Sequence, residues 1–212
     1  MTIDYSGQEK LTTGNLRIVE TNLLWTRYLV ILAAAALLVL ATMWLERREA
    51  VNGRNEQRRQ ILFGIGVIAF LASIPYLYDG MVSGADLTYH LHRIEGVKDG
   101  LLTGQFPVRL EPRWVFDHGY ANGIFYCNLL LYFPALLRMA GFTMTESYAF
   151  YCIGLNIATA AIAWYCFNGI FGDRIIGLVC SALYTLSIFR FFKLVMVGAV
   201  GEGSAYTFLP LV

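Results

Sequence analysis

Asp86, His90 and Arg93 are the first residues in this chain that could do chemistry together. They follow one another at steps of four and three. On an α-helix that spacing puts them on one face. A carboxylate one turn from an imidazole has three readings. The first is a solvated polar face, with Asp86 near a helix N-terminus where a carboxylate is favoured. The second is a catalytic carboxylate oriented by His90. The third is a pair of ligands for a divalent metal. Two ligands do not make a metal site, so no cofactor is assigned and a divalent ion at Asp86 and His90 stays an alternative.

Further side chains join this candidate site. Arg109 and Arg113 flank Pro112, and a planar guanidinium takes phosphate oxygens two at a time. Lipid headgroups would satisfy the same two arginines. Tyr120, Phe125, Tyr126, Tyr132 and Phe133 form an aromatic cluster. It reads as a membrane-interface belt or as the wall of a sugar or lipid groove. Glu202 stands between Gly201 and Gly203, where an apolar run begins. A carboxylate there is a functional candidate, though a helix N-terminus would lower its cost. Arg190 and Lys193 are candidate partners for it or for headgroups. Asn156 and Asn168, inside an apolar helix, suit hydrogen bonds between helices.

These residues sit in a membrane protein. The 212 residues are 57% hydrophobic and 15% charged, against roughly 45–50% and about 25% for soluble domains. Lys plus Arg is 16, Asp plus Glu is 15, and the net charge is +1. That balance excludes a disordered chain and a nucleic-acid binder. The 4 Cys include no CxxC pair, so neither a zinc site nor a disulfide framework is expected.

The expected fold is all-α and multispan. Candidate spans are 23–44, 61–78, 147–171 and 175–197. The first is read as a retained helix and not a cleaved signal, because no small-x-small site follows it. Residues 46–60 carry five Arg against three Glu, which keeps this loop cytoplasmic. The tail 1–22 and the loop 79–146 are then external. Residues 123–139 are short, aromatic and interrupted by Pro134, and are read as interfacial or re-entrant. Three regions follow: the tail 1–22, an extra helix with its basic loop at 23–60, and a transmembrane region at 61–212. Within the external loop, Leu87, Leu91, Ile94 and Leu101 predict an amphipathic helix on the membrane surface, ended by Gly100 and Gly104. The final apolar run is nine residues, about 14 Å of helix, less than a span needs. The chain therefore reads as the N-terminal piece of a longer protein.

Several strings in this order resemble a known family. They are ADLTYHLHRIEG at 85–96, GQFPVR at 104–109, GYANGIFY at 119–126 and GEGSA at 201–205. Together they resemble the N-terminal part of GT-C membrane glycosyltransferases, and more narrowly bacterial YfhO-like and 6-pyruvoyl-tetrahydropterin-synthase-related membrane proteins. The resemblance implies a GT-C-like N-terminal half with surface helices in a long external loop. It implies transfer of a sugar from a polyprenyl-phosphate donor to a cell-envelope polymer or lipid acceptor, at the external face. Asp86 and Glu202 would be the catalytic acids. His90, Arg93, Arg109, Arg113, Tyr120 and Tyr126 would bind substrate. The helix at 23–44 departs from that pattern, and later spans that complete the donor cavity are not in the sequence. The competing readings are a transporter or flippase of lipid-linked substrates, and a non-catalytic multispan scaffold.

Overall fold

The computed structural model describes residues 54–77 and 84–212. The tail 1–22 and the helix predicted at 23–44 lie outside these residues. Every regular element described is helical. The one β-type pairing is an isolated antiparallel bridge between Glu111 and Tyr120.

Two helices are long and apolar enough to cross a membrane. The first, α1, is Arg54–Ser73. It starts seven residues before the predicted span, so the end of the basic loop is helical. Arginine and glutamine are good helix formers and extend the apolar run by two polar turns. Two further helices of eight or more residues precede the second long one. Leu87–Leu102 is α2 and Tyr132–Met139 is α3. The second long helix, α4, is Met144–Phe171, with 28 residues or about 42 Å. Its start is fixed by a reciprocal cap. Thr143 accepts from the Glu146 N–H, and the Glu146 carboxylate accepts from the Thr143 N–H at 2.8 Å.

A tight turn reverses the chain after α4. Gly172 is left-handed at φ 66°, and the Asp173 carboxylate caps the next helix through the Ile175 and Ile176 N–H groups. That helix is α5, Arg174–Thr185. The span expected at 175–197 is not one straight helix. It breaks after Thr185 and resumes 41° off as α6, Ile188–Phe191, continuing as a π-helical stretch at Phe192–Val197. The break leaves the Thr185 carbonyl free to accept from Arg190. The last helix, α7, is Val200–Phe208. If the bent pair is counted as one crossing, three spans are described.

Hydrogen bonds order the long helices. Arg174 donates to Gln57 at 3.0 Å, and Asn156 donates to the Ala72 carbonyl at 3.0 Å. The start of α1 therefore lies beside the α4–α5 turn, and its end reaches mid-α4. Ile61, Ile65, Ile68 and Ala69 pack there with Ala160. Asn156 makes the interhelical bonds expected of it, while Asn168 meets Gly177 through its backbone.

The loop region packs on the other end of α4. Residues 123–139 do not form a span: a turn at Asn122–Phe125 and a 3-10 turn at Leu129–Leu131 lead into the eight-residue α3. The α2 helix is packed on two sides, while the stripe of Thr88, His92, Glu95 and Asp99 faces outward. Its stripe of Leu87, Ile94 and Val97 is buried with Ala135, Tyr148, Cys152 and Leu155. Its polar face is covered by residues 105–128. Gly100 does not end α2 but lies within it, and a Cβ there would sit 2.5 Å from Val108 Cγ1. The helix ends after Leu102, where Gly104 takes φ 81°.

Gly123 binds the covering segment to itself. A Cβ at this position would lie 2.4 Å from the Val108 carbonyl oxygen and 2.9 Å from Arg109 Cα. Gly123→Ala should lower stability by about 1–3 kcal/mol, because backbone must yield. Gly154→Ala, on α4 with nothing within 4 Å, should be neutral or slightly stabilising. Thermal unfolding of the two purified variants checks the contrast.

Candidate functional site

The start of α2 meets the start of α7. The Asp86 N–H donates to the Val197 carbonyl at 3.0 Å, and a Cβ on Gly198 would touch Leu87. Asp86 is the residue just before α2, yet its carboxylate makes no capping bond. It is exposed. Glu202 lies in the first turn of α7, and its carboxylate pairs with Lys193 at 2.9 Å. Of the two acids, only Glu202 forms an ion pair with Lys193, while Asp86 is held nearby through its backbone bond to Val197. Lys193 is the partner of Glu202; Arg190 is buried elsewhere in the bundle.

Tyr126 closes this cluster from the loop side. A Cβ on Gly201 would lie 2.5 Å from its hydroxyl. Its ring packs edge-on against His90 and Tyr89. The Arg93 guanidinium carbon sits 4.2 Å from the Tyr126 ring centre.

His90 and Arg93 turn inward, not toward Asp86. Both are buried. His90 Nδ1 faces Arg93 Nη1 at 3.4 Å, and no side-chain bond joins His90 to Asp86. Burial pulls the imidazole down to about 4; Arg93 adds to this and Asp86 opposes it. His90 is therefore neutral near pH 7. A lowered value means its contribution to stability is present above pH 6.5 and is lost as pH falls toward 4. The orienting role and the metal pair both required His90 to face Asp86. Among the described residues no three His, Cys, Asp or Glu gather as metal ligands.

Arg93 is the centre of a buried polar network. It donates to the Asn128 side chain and to the Cys127 carbonyl at 3.1 Å, and lies 4.0 Å from Glu111. Its side chain is 1% exposed and that of Glu111 is 0%. Glu111 accepts from the Trp114 indole at 2.6 Å, from Asn122 at 3.3 Å and from Asn128 at 3.4 Å. Burial pushes the Glu111 carboxyl up against these donors and pulls Arg93 down. Tyr89 completes the network by donating to Asn122 at 2.8 Å. Arg93 thus ties the covering segment to α2, with its side chain almost fully buried.

The two loop arginines lie elsewhere. Arg113 pairs with Asp99 and, at 3.7 Å, with Glu95. Its hydrogen bond to Asp99 is the main cause holding it above its ordinary value. Asp99 is thirteen residues from Asp86, about 20 Å of helix. Burial alone would raise the Glu95 carboxyl, but Lys98 and Arg138 hold it below its ordinary range. Arg109 is exposed, with its carbonyl taken by the Gly123 N–H at 3.1 Å. Tyr120 is exposed and pairs its backbone with Glu111. Of the predicted site residues, the structure brings together Asp86, Glu202 and Tyr126, with His90 behind them. It does not bring Arg109, Arg113 or Tyr120 to them.

Glu111, Trp114, Asn122 and Asn128 escaped the sequence reading. A usable signal was Gly96, on the same face as Arg93. A Cβ there would lie 2.8 Å from Glu111 Cβ, so a glycine inside a helix marked the covering chain.

The fold and site define a helical protein with two or three helices suited to crossing a membrane and a folded polar cap on one end. No family model, curated protein or solved structure matches the chain.

Removing one partner of the Arg93–Glu111 pair strands a buried charge. Glu111→Ala should cost about 3–5 kcal/mol. The double variant Arg93→Met, Glu111→Leu should regain most of that loss. Unfolding in detergent micelles measures both; additive losses in the double variant would contradict the pairing.

Proposed function

We propose that this chain acts at the membrane in glycosyl transfer of the GT-C type, with Asp86 and Glu202 at the reacting face. The observation that carries this reading is the contact between the starts of α2 and α7, which brings Asp86 to the end of the bundle that holds the Glu202–Lys193 pair, from positions 116 residues apart in sequence (202 minus 86). The order of the four family-like strings supports it. The proposed donor is a polyprenyl-phosphate sugar, and the acceptor a hydroxyl of an envelope polymer or lipid.

The chemistry follows from the groups present. The acceptor oxygen bonds to the sugar's anomeric carbon as its proton passes to the Asp86 carboxylate. The bond from that carbon to the phosphate oxygen breaks, and the polyprenyl phosphate leaves as an anion. Lys193 is the cation placed to stabilise that charge, held by Glu202. Arg113 does not share this role, because it pairs with Asp99 toward the far end of α2. Tyr126 supplies an aromatic wall beside Glu202. The exposed apolar side chains of Ile124, Phe125 and Phe133 offer a surface to membrane lipid.

A second reading, a carrier of lipid-linked substrates, is favoured by one observation. Arg190 is a cation buried inside the helical bundle. A carrier needs no base.

Asp86→Ala and Asp86→Asn separate the two. Transfer requires that both abolish sugar incorporation into the envelope fraction while the protein's membrane level stays unchanged. A carrier tolerates Asp86→Asn. Incorporation retained in both variants would rule out the enzyme reading.

A further inference from the structure

A second charged centre lies in the helical bundle, apart from the Asp86–Glu202 cluster. Arg190 is 4% exposed. Its Nη1 donates to Asn156 at 2.8 Å and to the Thr185 carbonyl at 3.2 Å, and its Nη2 donates to Thr159 at 3.0 Å. A guanidinium has five N–H groups. Three are used, and the Nε–H has no partner. That leaves the Nε–H and one Nη2–H. Every group Arg190 binds is neutral, and no carboxylate of the described residues pairs with it. A buried charge without a counter-charge is costly and points to a ligand.

Arg190 lines a cavity of about 140 Å³. Tyr76, Thr185 and Asn156 share its wall. The Tyr76 and Thr185 hydroxyls are buried and unpaired as well. Two residues with unpaired hydroxyls and one positive charge thus line one space. Leu186 and Leu194 supply apolar wall. The volume is large enough for several waters, but water brings no negative charge.

We propose that this cavity binds a phosphoryl oxyanion. A tetrahedral oxyanion offers many acceptor sites and no need of an acceptor in return, which matches a set of orphan donors around a guanidinium. The break between α5 and α6 builds the site, because it turns the Thr185 carbonyl onto Arg190 and brings that side chain into the bundle. The site does not depend on the glycosyl-transfer reading; an enzyme, a carrier or a scaffold would hold it equally.

The test is thermal unfolding of the full chain in maltoside micelles with added probes. Sodium phosphate should raise the midpoint saturably, while sodium chloride and sodium acetate at equal ionic strength should not. Dioctanoyl phosphatidic acid should act likewise, and dioctanoylglycerol should not. Phosphatidic acid saturating at about tenfold lower concentration than phosphate would identify a lipid phosphate; equal concentrations would identify the free anion. Arg190→Gln should lose the response. Tyr76→Phe, which keeps the charge, should weaken the apparent affinity about tenfold. No response to either phosphate probe overturns the proposal, as does an equal response to acetate or an unchanged response in Arg190→Gln. Should that variant fail to fold, unchanged affinity in both Tyr76→Phe and Thr185→Val overturns it.

Discussion

The burial of Arg93 against Glu111 is the constraint on which the loop region depends. A guanidinium in the middle of α2 has to find acceptors, and α2 supplies none on that face except His90. The acceptors come from residues 111, 127 and 128. Bringing them in folds the whole 105–128 segment over the helix. Gly96 and Gly100 leave room for that segment to approach. Tyr126 is carried along and set between Arg93 and the start of α7. One buried charge thus orders the cap, and the cap holds Asp86 beside Glu202.

Arg93 and Arg190 make an instructive contrast. Both are buried, and both use their N–H groups to tie distant parts of the chain together. Arg93 has a carboxylate at 4.0 Å and an aromatic face, so its charge is answered within the protein. Arg190 has only amide, hydroxyl and carbonyl partners among the described residues, and a cavity beside it. The first arrangement specifies a fold. The second leaves charge to be met by something else, which is why the two arginines have different roles here.

Much of the helical architecture was legible because single-residue signals mark its ends. Gly172-Asp173 announced the α4–α5 turn, and Gly104 the end of α2. Thr143 and Glu146 also form a legible cap, though apolar content alone placed the start of α4 three residues late. The break after Thr185 was not legible, since residues 175–197 read as one apolar run. Beyond the break Arg190 reaches Asn156 and Thr159 on α4, a tertiary contact that the apolar run does not show. The same holds at the site. The shared face of Asp86, His90 and Arg93 was correct as helical geometry, yet only Asp86 of the three is exposed. Periodicity gives the face a residue occupies, not what covers it. Glu111 was overlooked because its partner lies eighteen residues away and no periodic pattern links them (111 minus 93).

The central claim is that Asp86 and Glu202 lie at one end of the spanning helices and Asp173 at the other. Cysteine accessibility tests it directly. In a protein whose native Cys127, Cys152, Cys166 and Cys180 are replaced, Asp86→Cys, Asp173→Cys and Glu202→Cys would be labelled one at a time with an impermeant thiol reagent. Positions 86 and 202 should react from the same side of the membrane, and 173 from the opposite side. Reaction of 86 and 202 from opposite sides would separate the two acids and contradict the account.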